Sequence, residues 1–119
     1  MKSLALAVAA LAACATTAPA GVSSASYVQV VEKEYSLVLS RQTVRRGTVA
    51  LEAINFGMDA HNLALRKTVP GAPTLRFPKL FRAQHADRTL RLTPGRYTLW
   101  CTLADHRKRG MVATLVVSR

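Results

Sequence analysis

The sequence predicts an all-β sandwich, and three observations predict it. Apolar and polar residues alternate over short segments. Turns rich in Pro and Gly separate those segments. Beyond the N-terminal run, no stretch carries the period of an amphipathic helix. In Tyr35-Ser36-Leu37-Val38-Leu39-Ser40, residues Tyr35, Leu37 and Leu39 share one face. Arg45-Arg46-Gly47 reads as a turn, and Thr48 to Ile54 resumes the alternation. Asn55-Phe56-Gly57-Met58-Asp59-Ala60 reads as a loop, because Asn and Gly accept turn backbones. His61 to Leu65 reads as a further short strand. Arg66 to Asp87 carries Pro70, Gly71, Pro73 and Pro78 and holds no period, which predicts a long irregular connection with room for one helical turn. Strand character returns in Thr89 to Leu92, followed by a turn at Thr93-Pro94-Gly95. Arg96 to Cys101 is a strand with Tyr97, Leu99 and Cys101 facing inward, and the β-branched run Val112 to Val117 closes the domain. Such a series of short strands makes one sandwich.

The N-terminus reads as an export signal rather than as part of the fold. Met1-Lys2-Ser3 gives a positive start, and Leu4 to Ala13 is an apolar run too short to span a bilayer. Two processing sites are present. Ala18-Pro19-Ala20 predicts cleavage after Ala20, making residues 1–20 a signal peptide. Leu11-Ala12-Ala13-Cys14 has the form of a lipobox, which would make 1–13 a lipoprotein signal and Cys14 the lipidated first residue. Both predict export to the periplasm or cell envelope, with membrane attachment only through Cys14. Small residues 21–26 read as a linker, and 27–119 as the domain. Cleavage after Ala20 leaves 99 of the 119 residues, enough for one core.

The chain has 17 Lys+Arg against 6 Asp+Glu, a net charge of +11 that falls by one if Lys2 leaves with the signal. Such an excess bears on partners rather than fold. Nucleic acid is set aside by export and by the lack of any nucleic-acid-binding motif. Acidic proteins or an anionic envelope surface suit it better.

With the signal removed, Cys101 is the one cysteine left, so it has no partner within the chain for a disulfide. It is then a buried inert thiol, a reactive thiol or a metal ligand. The residues around it favour a ligand. Cys101, His106 and Met111 lie on one stretch, Cys101-x4-His106-x4-Met111, and bring a thiolate, an imidazole and a thioether together. Cu(I) prefers soft sulfur and Cu(II) accepts imidazole, and a His2Cys set with a weak axial Met identifies blue-copper sites. The second histidine of such a set has a candidate in His61. Zinc also accepts Cys and His, but its sites usually have four strong ligands and no Met.

Three stretches together resemble the cupredoxin family of small blue-copper proteins: Asn55-Phe56-Gly57-Met58-Asp59-Ala60-His61-Asn62, Pro94-Gly95-Arg96-Tyr97-Thr98-Leu99-Trp100-Cys101, and Cys101-x4-His106-x4-Met111 with Gly110 before the Met. The resemblance covers most of Tyr27 to Arg119. It implies a Greek-key β-sandwich binding one type 1 copper ion, with His61, Cys101 and His106 equatorial and Met111 axial. It also implies that the loop histidine is the usual electron exit. The chain departs from better-known members in its Arg107-Lys108-Arg109 run, which would ring that exit with positive charge and steer acidic redox partners toward it.

Each residue also has a plainer reading. His61 could be an ordinary half-buried strand histidine, and Arg107-Lys108-Arg109 a solvated turn. His85, between Gln84 and Ala86, reads as a solvated loop residue. Met58 is a rival axial ligand but better suits loop packing. Asn62 could tie the His61 segment to the ligand loop, and Tyr97 could pin a loop through its hydroxyl. Trp100 alternates away from Cys101; it is either packed under the 66–87 connection or exposed for docking, and packing suits a large aromatic better. Three functions follow. The first is a one-electron carrier, which is not an enzyme. The second is a copper-delivery protein without redox cycling. The third is a sandwich module of the envelope that holds no metal.

Overall fold

The computed structural model describes residues 12–19, 21 and 24–119, and nine strands run through the last of these ranges. They are β1 (Ser26–Lys33), β2 (Ser36–Leu39), β3 (Thr43–Arg45), β4 (Gly47–Asn55), β5 (Ala64–Lys67), β6 (Thr74–Arg76), β7 (His85–Leu92), β8 (Gly95–Trp100) and β9 (Val112–Ser118). One sheet has the order β2-β1-β4-β7 and the other β3-β9-β8-β5-β6. Both are mixed: β1 pairs parallel with β4, β3 pairs parallel with β9, and the remaining ladders are antiparallel. This is the two-sheet Greek-key sandwich expected from the resemblance. Among the described residues no helix is long and apolar enough to cross a membrane. Most of the signal segment, residues 1–11 and 20, lies outside the described residues.

Period-two alternation builds the core. Along β4 every second side chain from Val49 is buried, giving Val49, Leu51, Ala53 and Asn55. In β1 the inward row is Val28, Val30 and Glu32. Facing them from the second sheet are Leu65, Tyr97, Leu99, Leu115 and Val117. Two polar residues thus sit in apolar rows, and they behave differently. Asn55 is fully satisfied. Its Nδ2 donates to the carbonyls of Asp59 (2.7 Å) and Leu80 (2.9 Å), and its Oδ1 accepts from Gly57 N–H at 2.7 Å. Glu32 is completely buried, and neither carboxylate oxygen has a hydrogen-bond partner.

Three local expectations change. His61 does not open a strand: it makes an isolated antiparallel bridge to Leu80, and β5 begins at Ala64. Leu63, Ala64 and Leu65 are all buried, so period two cannot hold across them. The 66–87 connection is less irregular than expected and contains no helical turn. β5 extends to Lys67, β6 crosses Thr74–Arg76, and β7 begins at His85. His85 is therefore a strand residue, though solvated as expected, with Nδ1 3.5 Å from Asp87 Oδ2. The sequence hides most of β7 because it is an edge strand. Only Leu90 and Leu92 are buried in it, and its outward charges guard an open edge.

Tyr97 anchors the turn before the ligand strand. Its hydroxyl accepts from Thr93 N–H and donates to Thr93 C=O, each at 3.1 Å, so it pins Thr93-Pro94-Gly95 as the tyrosine-corner reading expected.

Candidate metal centre

β8 and β9 hold the two ends of the Cys101–Met111 loop. Cys101 N–H donates to Met111 C=O at 3.1 Å, and Met111 N–H donates to His106 C=O at 3.0 Å, so the loop folds back on itself. Gly110 has φ +126°, a conformation that favours glycine. A Cβ built there would lie 2.6 Å from the Tyr35 carbonyl oxygen. Glycine therefore lets the loop close onto the β1–β2 turn just before Met111.

His61 arrives from the opposite side. Its N–H donates to Leu80 C=O at 3.0 Å, and Leu80 N–H returns a 2.7 Å bond to His61 C=O. Asn62 then clasps the ligand loop: its Nδ2 donates to Thr102 Oγ1 at 2.7 Å, and its Oδ1 accepts from Thr102 N–H at 2.8 Å. The expected tie between the two ligand segments is therefore a two-bond clasp.

These supports bring three donor atoms together. His61 Nδ1 lies 3.2 Å from His106 Nδ1, and Cys101 Sγ lies 3.6 Å from the same His106 nitrogen. One donor atom each from His61, Cys101 and His106 fall within 4.8 Å of one another. An ion bound at about 2.0–2.1 Å to imidazole and about 2.3 Å to thiolate holds such donors roughly 3.2–3.7 Å apart. The observed spacing matches. His61 and Met111 are fully buried, Cys101 is 1% exposed and His106 is 8% exposed. Met58 is 71% exposed and its sulfur accepts from Arg82 Nη1 at 3.2 Å. It neither packs inside the loop, as expected, nor belongs to the buried cluster.

The far side of His61 is occupied by a residue the sequence reading did not single out. Nε2 lies 2.8 Å from Glu34 Oε1, and the same oxygen accepts from Asp59 N–H at 2.7 Å. That N–H above all, then those of Met58 and of Glu34 itself together with the His61 ring, hold the Glu34 carboxyl down to about 2 against a partial opposing effect of burial. Because Nδ1 faces the cluster and Nε2 faces a carboxylate, the neutral ring carries its proton on Nε2 and offers a lone pair inward. No spacing along the chain points to Glu34. Pairing of β1 with β4 is what carries it to the 55–60 loop.

His106 is the ligand candidate nearest the surface, and aromatic and cationic side chains surround it. The Tyr35 ring centre is 5.2 Å from its own. Arg109 lies over Tyr35 at 4.0 Å and donates to its hydroxyl at 2.9 Å. Arg107 lies over Trp100 at 4.8 Å, with Arg66 over the same ring at 5.9 Å. Trp100 is thus half-buried on the outer face of β8 between two guanidinium groups. Arg66, at the start of the 66–87 connection, covers part of its ring.

A two-sheet Greek-key sandwich with a buried His-Cys-His cluster at one end defines a structural class, and comparison with solved structures identifies it. Auracyanin from Roseiflexus castenholzii superposes with a TM-score of 0.65 at 18% identity, over 81% of this chain and 100% of that one. Auracyanin A from Chloroflexus aurantiacus, described as a "blue" copper protein, gives 0.63 at 15% identity over 80% and 100%. A purple cupredoxin from Nitrosopumilus maritimus gives 0.54 at 17% identity over 76% and 98%. No family model and no curated protein matches the sequence. The chain has the cupredoxin fold.

Proposed function

We propose that this chain is an exported, single-copper electron carrier with His61, Cys101 and His106 as equatorial ligands and Met111 as the axial one. The observation that carries the reading is the convergence of two imidazole Nδ1 atoms and one thiol sulfur, 3.2 and 3.6 Å apart, in a buried pocket. When bound, copper supplies a one-electron couple between Cu(I) and Cu(II). The protein's part is to keep the donors nearly fixed through both states. The Asn62–Thr102 clasp, the His61–Leu80 bridge and the Cys101–Met111 backbone bond restrain the ligand segments from three sides. Burial keeps water from adding as a further ligand. It also disfavours copper delivery, which needs donors that a recipient can reach. Likeness to a described blue copper protein supports the same choice. The test is copper loading. One equivalent of Cu(II) per chain should bind and undergo reversible one-electron reduction, and Cys101→Ser should abolish that couple. A wild-type chain that binds no copper, or releases it on reduction, would defeat the reading.

Electrons would leave through His106, the most exposed of the ligand candidates. Stacking fixes Arg107 and Arg109 beside it rather than leaving them as loose solvated charges. With Lys108 they form a positive collar suited to an acidic redox partner. Electron exchange with an acidic acceptor should slow markedly as salt rises from about 0.01 to about 0.15 M, as the Debye length shrinks from about 30 to about 8 Å. Stopped-flow rates for wild type and Arg107→Gln/Arg109→Gln check this. A rate independent of ionic strength would remove the collar from the proposal.

A further inference from the structure

We propose that Glu34 is a charged positioning residue for His61: it fixes the ring with Nδ1 inward and biases the site toward the oxidised ion. This rests on the copper reading above. Three observations carry it. The Nε2–Oε1 contact is 2.8 Å and His61 is fully buried, so the ring nitrogen away from the cluster has a carboxylate as its partner. Glu34 Oε1 is itself held, accepting from Asp59 N–H at 2.7 Å. Gly57 passes so close that a Cβ there would collide with the Glu34 carboxylate, so the 55–60 loop is shaped around that group. Glu34 therefore joins the β1–β2 turn, the 55–60 loop and the first ligand candidate through one carboxylate.

The chemical consequence follows from charge. A carboxylate accepting from Nε2–H makes the imidazole a stronger donor through Nδ1. It also places a negative charge on the far side of the ring from the ion. Both favour the more positive oxidation state. Arg109 reaches this histidine only across Tyr35 and His106, and the Asp59 carboxylate lies against the Tyr35 hydroxyl at 3.4 Å, so Glu34 is the carboxylate in direct contact with the His61 ring.

Two measurements test this. In the metal-free chain, nitrogen NMR of the His61 ring should show a single Nε2–H form with slow proton exchange. Glu34→Ala should give mixed ring forms and fast exchange, and unchanged ring signals would overturn positioning by Glu34. With copper, Glu34→Gln keeps the shape and an acceptor oxygen but removes the charge. It should lose roughly 10- to 100-fold in Cu(II) affinity and much less in Cu(I) affinity. Each tenfold change in that ratio raises the reduction potential by about 59 mV. A potential that stays the same or falls would overturn the electrostatic part. Gly57→Ala, which crowds the carboxylate off His61 without altering either residue, should shift the potential in the same direction and guards against a misfolded Glu34 variant. If wild type itself gives no thiolate-to-copper absorption, the copper reading fails, and the ring NMR still decides whether Glu34 positions His61.

Discussion

Replacing Glu32 with glutamine should abolish a loss of stability of about 3 kcal/mol that the wild-type chain undergoes as pH rises from 4.5 to about 7. Burial alone pushes this carboxyl up to about 7 from an ordinary 4.5. Its side chain is wholly enclosed in the inward row of β1, with neither oxygen hydrogen-bonded. The sign follows from proton binding. Between the two values the folded chain holds a proton that the unfolded chain has released, so the Glu32 contribution to stability is fully present below 4.5 and is lost as pH rises until the folded form ionises near 7. At about 1.4 kcal/mol per pH unit this gives the magnitude. Glu34 acts in the opposite direction and in a different window. Its folded value is depressed to about 2, so its contribution is present above 4.5 and is lost only as pH falls below that. Urea unfolding of wild type and Glu32→Gln at pH 4.5 and above pH 7 separates the two. The difference between the proteins should change by about 3 kcal/mol across that span. Glu32→Leu should stabilise most at the alkaline end, where the wild-type carboxylate is charged. Parallel pH profiles for wild type and Glu32→Gln would show that Glu32 is hydrated or paired in solution.

Gly110→Ala should destabilise the chain by roughly 3 kcal/mol and disturb the metal centre together with the fold. A backbone at φ +126° is nearly closed to residues with a side chain, at about 1–3 kcal/mol. The added methyl also meets the rigid Tyr35 carbonyl oxygen at 2.6 Å rather than a side chain that could swing away, which adds about 1–3 kcal/mol of overpacking. The loop must then lift from the β1–β2 turn, and His106 and Met111 shift with it. Thermal unfolding of the metal-free protein reads the first effect, and the spectrum of the copper-loaded protein reads the second. By contrast, Gly71 has φ +72° but open space around its Cα, so Gly71→Ala should cost less and leave the spectrum unchanged.

Local patterns made much of this legible in the sequence. Three of the four ligand candidates lie on one loop between two regular strands, so their spacing alone suggests a site. Strands β4 and β8 alternate cleanly, β9 shows itself as a β-branched run, and the Asn62 clasp and the Tyr97 corner are readable as well. What stayed hidden depends on tertiary context. β1 does not stand out by alternation, because an acidic residue occupies an inward position in its apolar row. β7 shows little alternation because it is a charged edge. Glu34 reaches His61 only through the pairing of β1 with β4, 27 residues away in sequence. Met58, set against the axial-ligand reading, reads as packed in its loop, yet it stands in solvent beside Arg82, since the Asn55 side chain and the Glu34 carboxylate organise that loop instead.

The most direct measurement is the visible absorption and EPR spectrum of the purified domain with one equivalent of Cu(II), for wild type and Cys101→Ser. Wild type should show an intense blue thiolate-to-copper band with narrowed copper hyperfine splitting, and the variant should lose both. A pale wild-type spectrum with ordinary splitting, or a band that survives Cys101→Ser, would contradict it.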